Sequence, residues 1–209
     1  MTNMANQIWH SLDNTFSDVL EMTWPMILIS VVLLSSLRLS YLLKSKEPFI
    51  LHNELLTLFF MVYVLCMFQV VTFQDVSNFG ENNFVPFKEI FRYSFGSRLF
   101  IKNIIGNMVM FVPYGFFVAY YVKPKNWKPL FGLVLIASLV IEVTQLAIGR
   151  VFDVDDILLN VVGGIVGYMV YKTLNKLADI SPKIFKSNLF LDIITIFIFV
   201  LFSLYILWR

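Results

Sequence analysis

The sequence predicts an all-α, polytopic bundle of about six transmembrane helices, preceded by an amphipathic helix at the membrane interface. Hydrophobic residues make up 58% of the chain and charged residues 14%. Soluble domains sit nearer half apolar and a quarter charged, so the excess marks a bilayer protein. The apolar residues also gather into windows of about the 20 residues that a helix needs to cross hydrocarbon. The segments between those windows are too short for a soluble domain.

Residues 1–23 lack the basic start of a signal peptide and carry Asp13, Asp18 and Glu21. Trp9, Leu12, Phe16, Val19 and Leu20 recur at helical spacing, which predicts an interfacial helix. The alternative is a tail ordered only by contact with the rest of the chain. The expected spans are 24–43, 54–74, 101–122, 130–148, 157–174 and 189–208. The single cysteine, Cys66, falls inside the second and excludes an intramolecular disulfide.

Short loops rich in Lys and Arg favour the cytoplasm. Lys44 and Lys46 follow the first span, Lys123, Lys125 and Lys128 the third, and Lys172, Lys176, Lys183 and Lys186 the fifth. The other side carries Lys88, Arg92, Arg98, Arg150 and Arg209, with Lys102 at the entrance to the third span. The balance predicts that both termini lie outside, together with the loops 75–100 and 149–156.

The most informative stretch is IEVTQLAIGRVFDVDDILLNVVGGIVGY, which begins at Ile141. Ser138, Glu142, Gln145 and Gly149 form one helical stripe, and Asn103, Gly106, Asn107 and Met110 form another. Asp156 and Asn160 stand four apart at the start of the fifth span. Polar groups at membrane depth are costly unless paired or wetted, so these three helices are expected to build one polar pocket. For the asparagines, an interhelical hydrogen-bond network is an equally good reading. Glu142 is the candidate general acid or base.

Arg150 precedes Asp153, Asp155 and Asp156. One Asp suffices to cap the helix that follows. The surplus could pair with Arg150, meet a cationic partner or hold a cation through oxygen ligands. Asp153, Asp155 and Asp156 are therefore the candidate metal ligands, and a divalent cation such as Mg²⁺ the candidate cofactor. Gly163 and Gly167 form a GxxxG pattern, read as close helix packing. Pro113 and Gly115 are expected to loosen the third span. NFVPF, from Asn83 to Phe87, would act as a lid or as an aromatic anchor.

Other chemistries find no residues. His10 and His52 are the only histidines, so a histidine zinc site is not expected. No serine accompanies a histidine base, no glycine loop cradles phosphate, and no internal repeat suggests a transporter. No nucleic-acid partner is expected.

The ordered set NFVPF, NIIGNMVMFVPYGF and SLVIEVTQLAIGRVFDVDDILLNVVGGIVGY resembles the VanZ-like family of bacterial membrane proteins. The likeness runs from about Asn83 to Tyr171, and the core is expected to take in the second span, about 54–174. The resemblance implies a place in the bacterial cell membrane and a link to low-level resistance to teicoplanin, a glycopeptide with an acyl tail. Two functions from different classes follow. One is a binding protein whose outward pocket (Asn103, Asn107, Glu142, Gln145, Arg150, Asp153, Asp155, Asp156 and Asn160) engages a lipid-linked wall precursor or the lipoglycopeptide. The other is a metal-assisted intramembrane enzyme acting on a lipid head group. The sequence leaves oligomeric state open.

Overall fold

The computed structural model describes residues 2–45, 48–73, 81–180, 182–183 and 187–208, with side chains from residue 21 onward except at 73, 202, 203 and 205–208. Six long helices account for most of them: α1 (Thr2–Ser45), α2 (Leu51–Phe73), α3 (Arg98–Val122), α4 (Trp127–Ala147), α5 (Val154–Ile180) and α6 (Asn188–Trp208). Five contain a stretch long and apolar enough to cross a membrane, and the described apolar part of α6 is Asn188–Leu201. The chain is thus an all-α, multi-pass membrane protein, as its composition requires. Among the described residues there is no strand, only one isolated parallel bridge between Asn83 and Asp153.

Three features depart from the expected segmentation. The backbone of α1 runs through 23/24 without a break, and Pro25 lies inside it. Side chains 1–20 lie outside the described residues, and with them the apolar stripe expected there. Helix α5 extends to Ile180, so Lys172 and Lys176 stand on the helix and not in a loop. Hydropathy marks only the hydrocarbon-matching part of a helix, and lysine stems tolerate the membrane edge by snorkelling. Finally, α3 is not uniform, because Ile101–Ile105 forms a π turn between the short helical start Arg98–Phe100 and the regular helix Gly106–Val122.

The chain divides into two compact units, Met1–Thr23 with Cys66–Thr173 and Trp24–Leu65 with Leu174–Arg209. The first contains every residue of the polar constellation. Its apolar core consists of Phe111 and Ala119 from α3, Leu130 and Val134 from α4, and Val161 from α5. In the second unit, Arg38 makes a two-pronged ion pair with Glu54, each bond 2.9 Å. There, too, the backbone N–H and Nδ1 of His52 both meet Asp192 Oδ1 at 2.8 Å.

Glycines set the closest approach in the first unit. A Cβ on Gly163 would lie 2.0 Å from the Met108 carbonyl oxygen, and one on Gly167 2.0 Å from that of Val112. On α3, a Cβ on Gly115 would lie 2.0 Å from the Gly164 oxygen. Helices α3 and α5 therefore cross backbone against backbone. The GxxxG pattern is a packing device, and Gly115 belongs to the same crossing.

Candidate functional site

The site grows from the junction between α4 and α5. Helix α4 ends in a Schellman motif: Gly149 adopts φ 86°, its N–H donates to Leu146 O at 3.1 Å, and the Arg150 N–H donates to Gln145 O at 2.9 Å. Glycine takes the left-handed turn without a Cβ penalty. The motif folds Arg150 back over Gln145. Arg150 Nη1 then donates to Val71 O on α2 at 2.9 Å. With the Gln145 amide oriented to satisfy both neighbours, its nitrogen donates to Glu142 Oε1 and its oxygen accepts from Arg150 Nη1, each at 2.9 Å.

Glu142 is 1% exposed. Its second oxygen, Oε2, accepts from the backbone N–H of Asp153 at 3.0 Å. Asp153 caps α5, since its Oδ1 accepts from the Asp155 N–H at 2.9 Å. In an ordinary capping box the residue three positions into the helix reaches back to the cap N–H. Here Asp156 occupies that position, while Glu142 of the neighbouring helix takes its role. Asp156 instead accepts from the side-chain amide of Asn107 on α3. One turn further into α5, the Asn160 Nδ2 donates to Ser138 Oγ at 2.9 Å, and the buried Asn160 Oδ1 has no partner among the described residues.

The loop at 81–97 is pinned to this junction. Asn83 is buried and uses all four of its hydrogen-bonding groups. Its N–H donates to Phe152 O at 2.8 Å and its carbonyl accepts from Val154 N–H at 3.0 Å. Its Nδ2 donates to Asp153 Oδ1 at 2.8 Å, and its Oδ1 accepts from Val85 N–H at 3.1 Å. Asp155, 1% exposed, takes the N–H of Phe87 on Oδ1, and on Oδ2 those of Glu89 at 2.7 Å and Ile90 at 3.2 Å. Both loops expected on one side of the membrane thus meet at one end of this unit.

Burial pushes the Asp153 carboxyl upward from its ordinary value; the Asp155 N–H and the Asn83 amide oppose this, and the charges of Asp155 and Glu89 add to it.

Of the nine residues expected to form the pocket, four are joined by hydrogen bonds, Glu142, Gln145, Arg150 and Asp153, while Asn107 with Asp156 and Asn160 with Ser138 form separate pairs. Asp155 faces the loop backbone, with both oxygens committed to N–H donors. Asn103 takes no part in these bonds, because the π turn breaks the four-residue register that would stack it on Asn107. Among the described residues no group of three His, Cys, Asp or Glu side chains is disposed to hold a metal ion. The three aspartates therefore do not converge as ligands. Sequence reasoning missed Asn83 as a site residue. Its only signal was its place at the head of the NFVPF motif.

The Ser138–Asn160 pair yields a direct expectation. Ser138→Ala leaves the Asn160 amide without its acceptor inside the membrane, which costs about 1 kcal/mol. Thermal unfolding of the purified protein reads this as a lowered midpoint, and an unchanged midpoint would show that the pair contributes no net stability.

These features define a class: a multi-pass α-helical membrane protein with a buried carboxylate–amide–guanidinium network at one end. The chain belongs to the VanZ/LLP1 family, whose model matches residues 55–175, more than half of its length. It is also similar to Protein VanZ of Enterococcus faecium, at 35% identity over 77 residues, which cover 36% of this chain and 47% of that protein. The chain spans about half the length of the curated relative it matches. No solved structure matches.

Proposed function

We propose that this protein acts in the bacterial cell envelope and contributes to resistance against teicoplanin-type glycopeptides by binding an envelope amphiphile. The amphiphile is a lipid-linked wall precursor or the lipoglycopeptide itself, and it is engaged at the polar end of the first unit. In this reading both termini and the polar loops face outward, following the distribution of Lys and Arg. The acyl part of the ligand lies against apolar helices while its head group meets the network.

The observation that carries this reading is the state of Arg150. Its side chain is half-buried, is fixed through Nη1 by Val71 and Gln145, and among the described residues leaves Nε and Nη2 uncommitted. A guanidinium held in that way suits a phosphate or carboxylate, which a wall precursor and a glycopeptide both offer. Metal-assisted chemistry on a lipid head group is less well supported, because Asp155 is committed to the loop backbone.

The test is expression in a glycopeptide-sensitive Gram-positive host, comparing wild type with Glu142→Gln, Arg150→Ala and Asp156→Asn at matched membrane levels. Wild type is expected to raise the inhibitory concentration of teicoplanin more than that of vancomycin, and Arg150→Ala to abolish the difference. Absence of protection by the wild-type chain would reject the resistance role.

A further inference from the structure

The loop that Asp155 and Asn83 pin down presents an apolar surface the fold does not use. Phe84 is 68% exposed, Phe87 53%, Phe91 83% and Phe95 84%. These side chains stand on an ordered support. Phe84 stacks on Phe152 with ring centroids 5.3 Å apart, and the Phe91 N–H donates to Phe87 O at 3.2 Å, closing a helical turn. Phe87 itself adopts φ 68°, a conformation that costs a residue with a Cβ about 1–2 kcal/mol. Glycine or asparagine would relieve that strain at a water-exposed turn. An exposed phenylalanine held there points to a contact outside the chain.

The placement says what that contact is. The segment is a run of turns in which all four rings are exposed and those of Phe87 and Phe91 meet with centroids 6.3 Å apart, with Lys88, Glu89 and Arg92 interleaved and Arg92 paired with Glu89 at 3.0 Å. The loop leads directly into α3 at Arg98, where Leu99 is again exposed, and it bridges to Asp153 immediately before α5. It therefore lies level with the ends of two spans, where a bilayer has its head-group layer. Aromatic residues favour that layer, and long cationic side chains reach from it to phosphate.

We infer that residues 84–95 form an interfacial element embedded in the lipid leaflet, with the exposed phenylalanine rings among the acyl chains and Lys88 at the phosphates. The rigid network beneath it fixes how deep and at what tilt the element sits. The inference does not rest on any antibiotic or wall-precursor ligand.

The test uses the full chain with Cys66→Ser, reconstituted in phosphatidylcholine–phosphatidylglycerol vesicles. Nitroxide labels are placed singly at Phe84→Cys, Phe91→Cys, Phe95→Cys and Lys88→Cys. Collisional accessibility is then measured with oxygen, which concentrates in hydrocarbon, and with a water-soluble nickel chelate. Labels at the phenylalanine positions are expected to favour oxygen at a depth of about 5–10 Å below the phosphates, and the Lys88 label to lie shallower. Dominance of the nickel reagent at all three phenylalanine positions would mean that the loop stands in water, and would overturn the inference. Protection from both reagents would overturn it too, in favour of a lid or a contact with a second copy. A Phe91→Trp variant in vesicles with brominated acyl chains gives an independent reading: its added emission is quenched if the loop is embedded and unchanged if it is not.

Discussion

Replacing Gly163 or Gly167 with alanine is expected to abolish the folded first unit, while Gly132→Ala leaves it intact. The new methyl carbon would sit 2.0 Å from the carbonyl oxygen of Met108 or Val112. That oxygen belongs to a helix backbone and no side-chain rotation can move it. Relief requires separating α3 from α5, which loses the packing around Phe111 and Val161. Ordinary overpacking costs about 1–3 kcal/mol, and a rigid backbone obstacle exceeds it. Gly132 meets nothing within 4 Å, so alanine there gains about 0.5–1 kcal/mol from helix propensity. Gly164 separates the two cases, because its added Cβ would meet the Val134 side chain at 2.6 Å. Gly164→Ala is therefore expected to recover in the double variant Gly164→Ala/Val134→Ala. No side-chain truncation should rescue Gly163→Ala. Monodispersity and the unfolding midpoint of purified protein decide among these outcomes; equal behaviour of Gly163→Ala and Gly132→Ala would contradict the backbone crossing.

The second large effect separates two neighbouring aspartates. Asp155→Asn turns an amide NH₂ toward N–H donors and strips the acceptor from at least one of Phe87, Glu89 and Ile90. Each buried donor left unpaired costs about 1–3 kcal/mol. The loop 81–97 should detach and become open to protease and to rapid amide exchange. Asp153→Asn should do neither, because the asparagine oxygen can keep both bonds now made by Asp153 Oδ1, to the Asp155 N–H and the Asn83 amide. The pH dependence carries a definite sign. Burial raises the Asp153 carboxyl in the folded state. The stability this residue contributes is thus full below its unfolded value of about 3.9 and is lost as pH rises through the folded value. Relative to wild type, Asp153→Asn should gain stability with increasing pH across that window. A wild type that gained on Asp153→Asn as pH rose would reverse the assignment.

Helical spacing made the inner half of the site legible. Glu142 with Gln145 and Asp156 with Asn160 could be placed on facing stripes because an α-helix repeats every 3.6 residues, and hydrocarbon forces such groups inward. The outer half was not legible. Asp155 looks like Asp153 and Asp156 in sequence, and only the fold of a loop some 66 residues earlier makes it an acceptor for that loop's backbone. Asn83 likewise depends on a parallel bridge that no local pattern encodes. Asn103 stands apart from these bonds for a different reason, since periodicity assumes a regular helix and a π turn shifts the register without a characteristic residue. The glycines were read correctly as a packing surface, but the surface they meet, at Met108 and Val112, has no small-residue signature of its own.

The π turn at Ile101–Ile105 also has an evolutionary meaning. A turn closed over five residues is what a regular helix becomes when a single amino acid is inserted and the hydrogen bonds heal around it. One residue corresponds to a rotation of about 100°. Adding or deleting a codon here would rotate Arg98–Phe100 around the axis of α3 while Gly106–Val122 stayed seated in its crossing, and the loop that Asn83 and Asp155 hold would oppose the rotation. The π turn is thus one residue of slack between a loop held by the α4–α5 junction and a helix held by its glycine crossing.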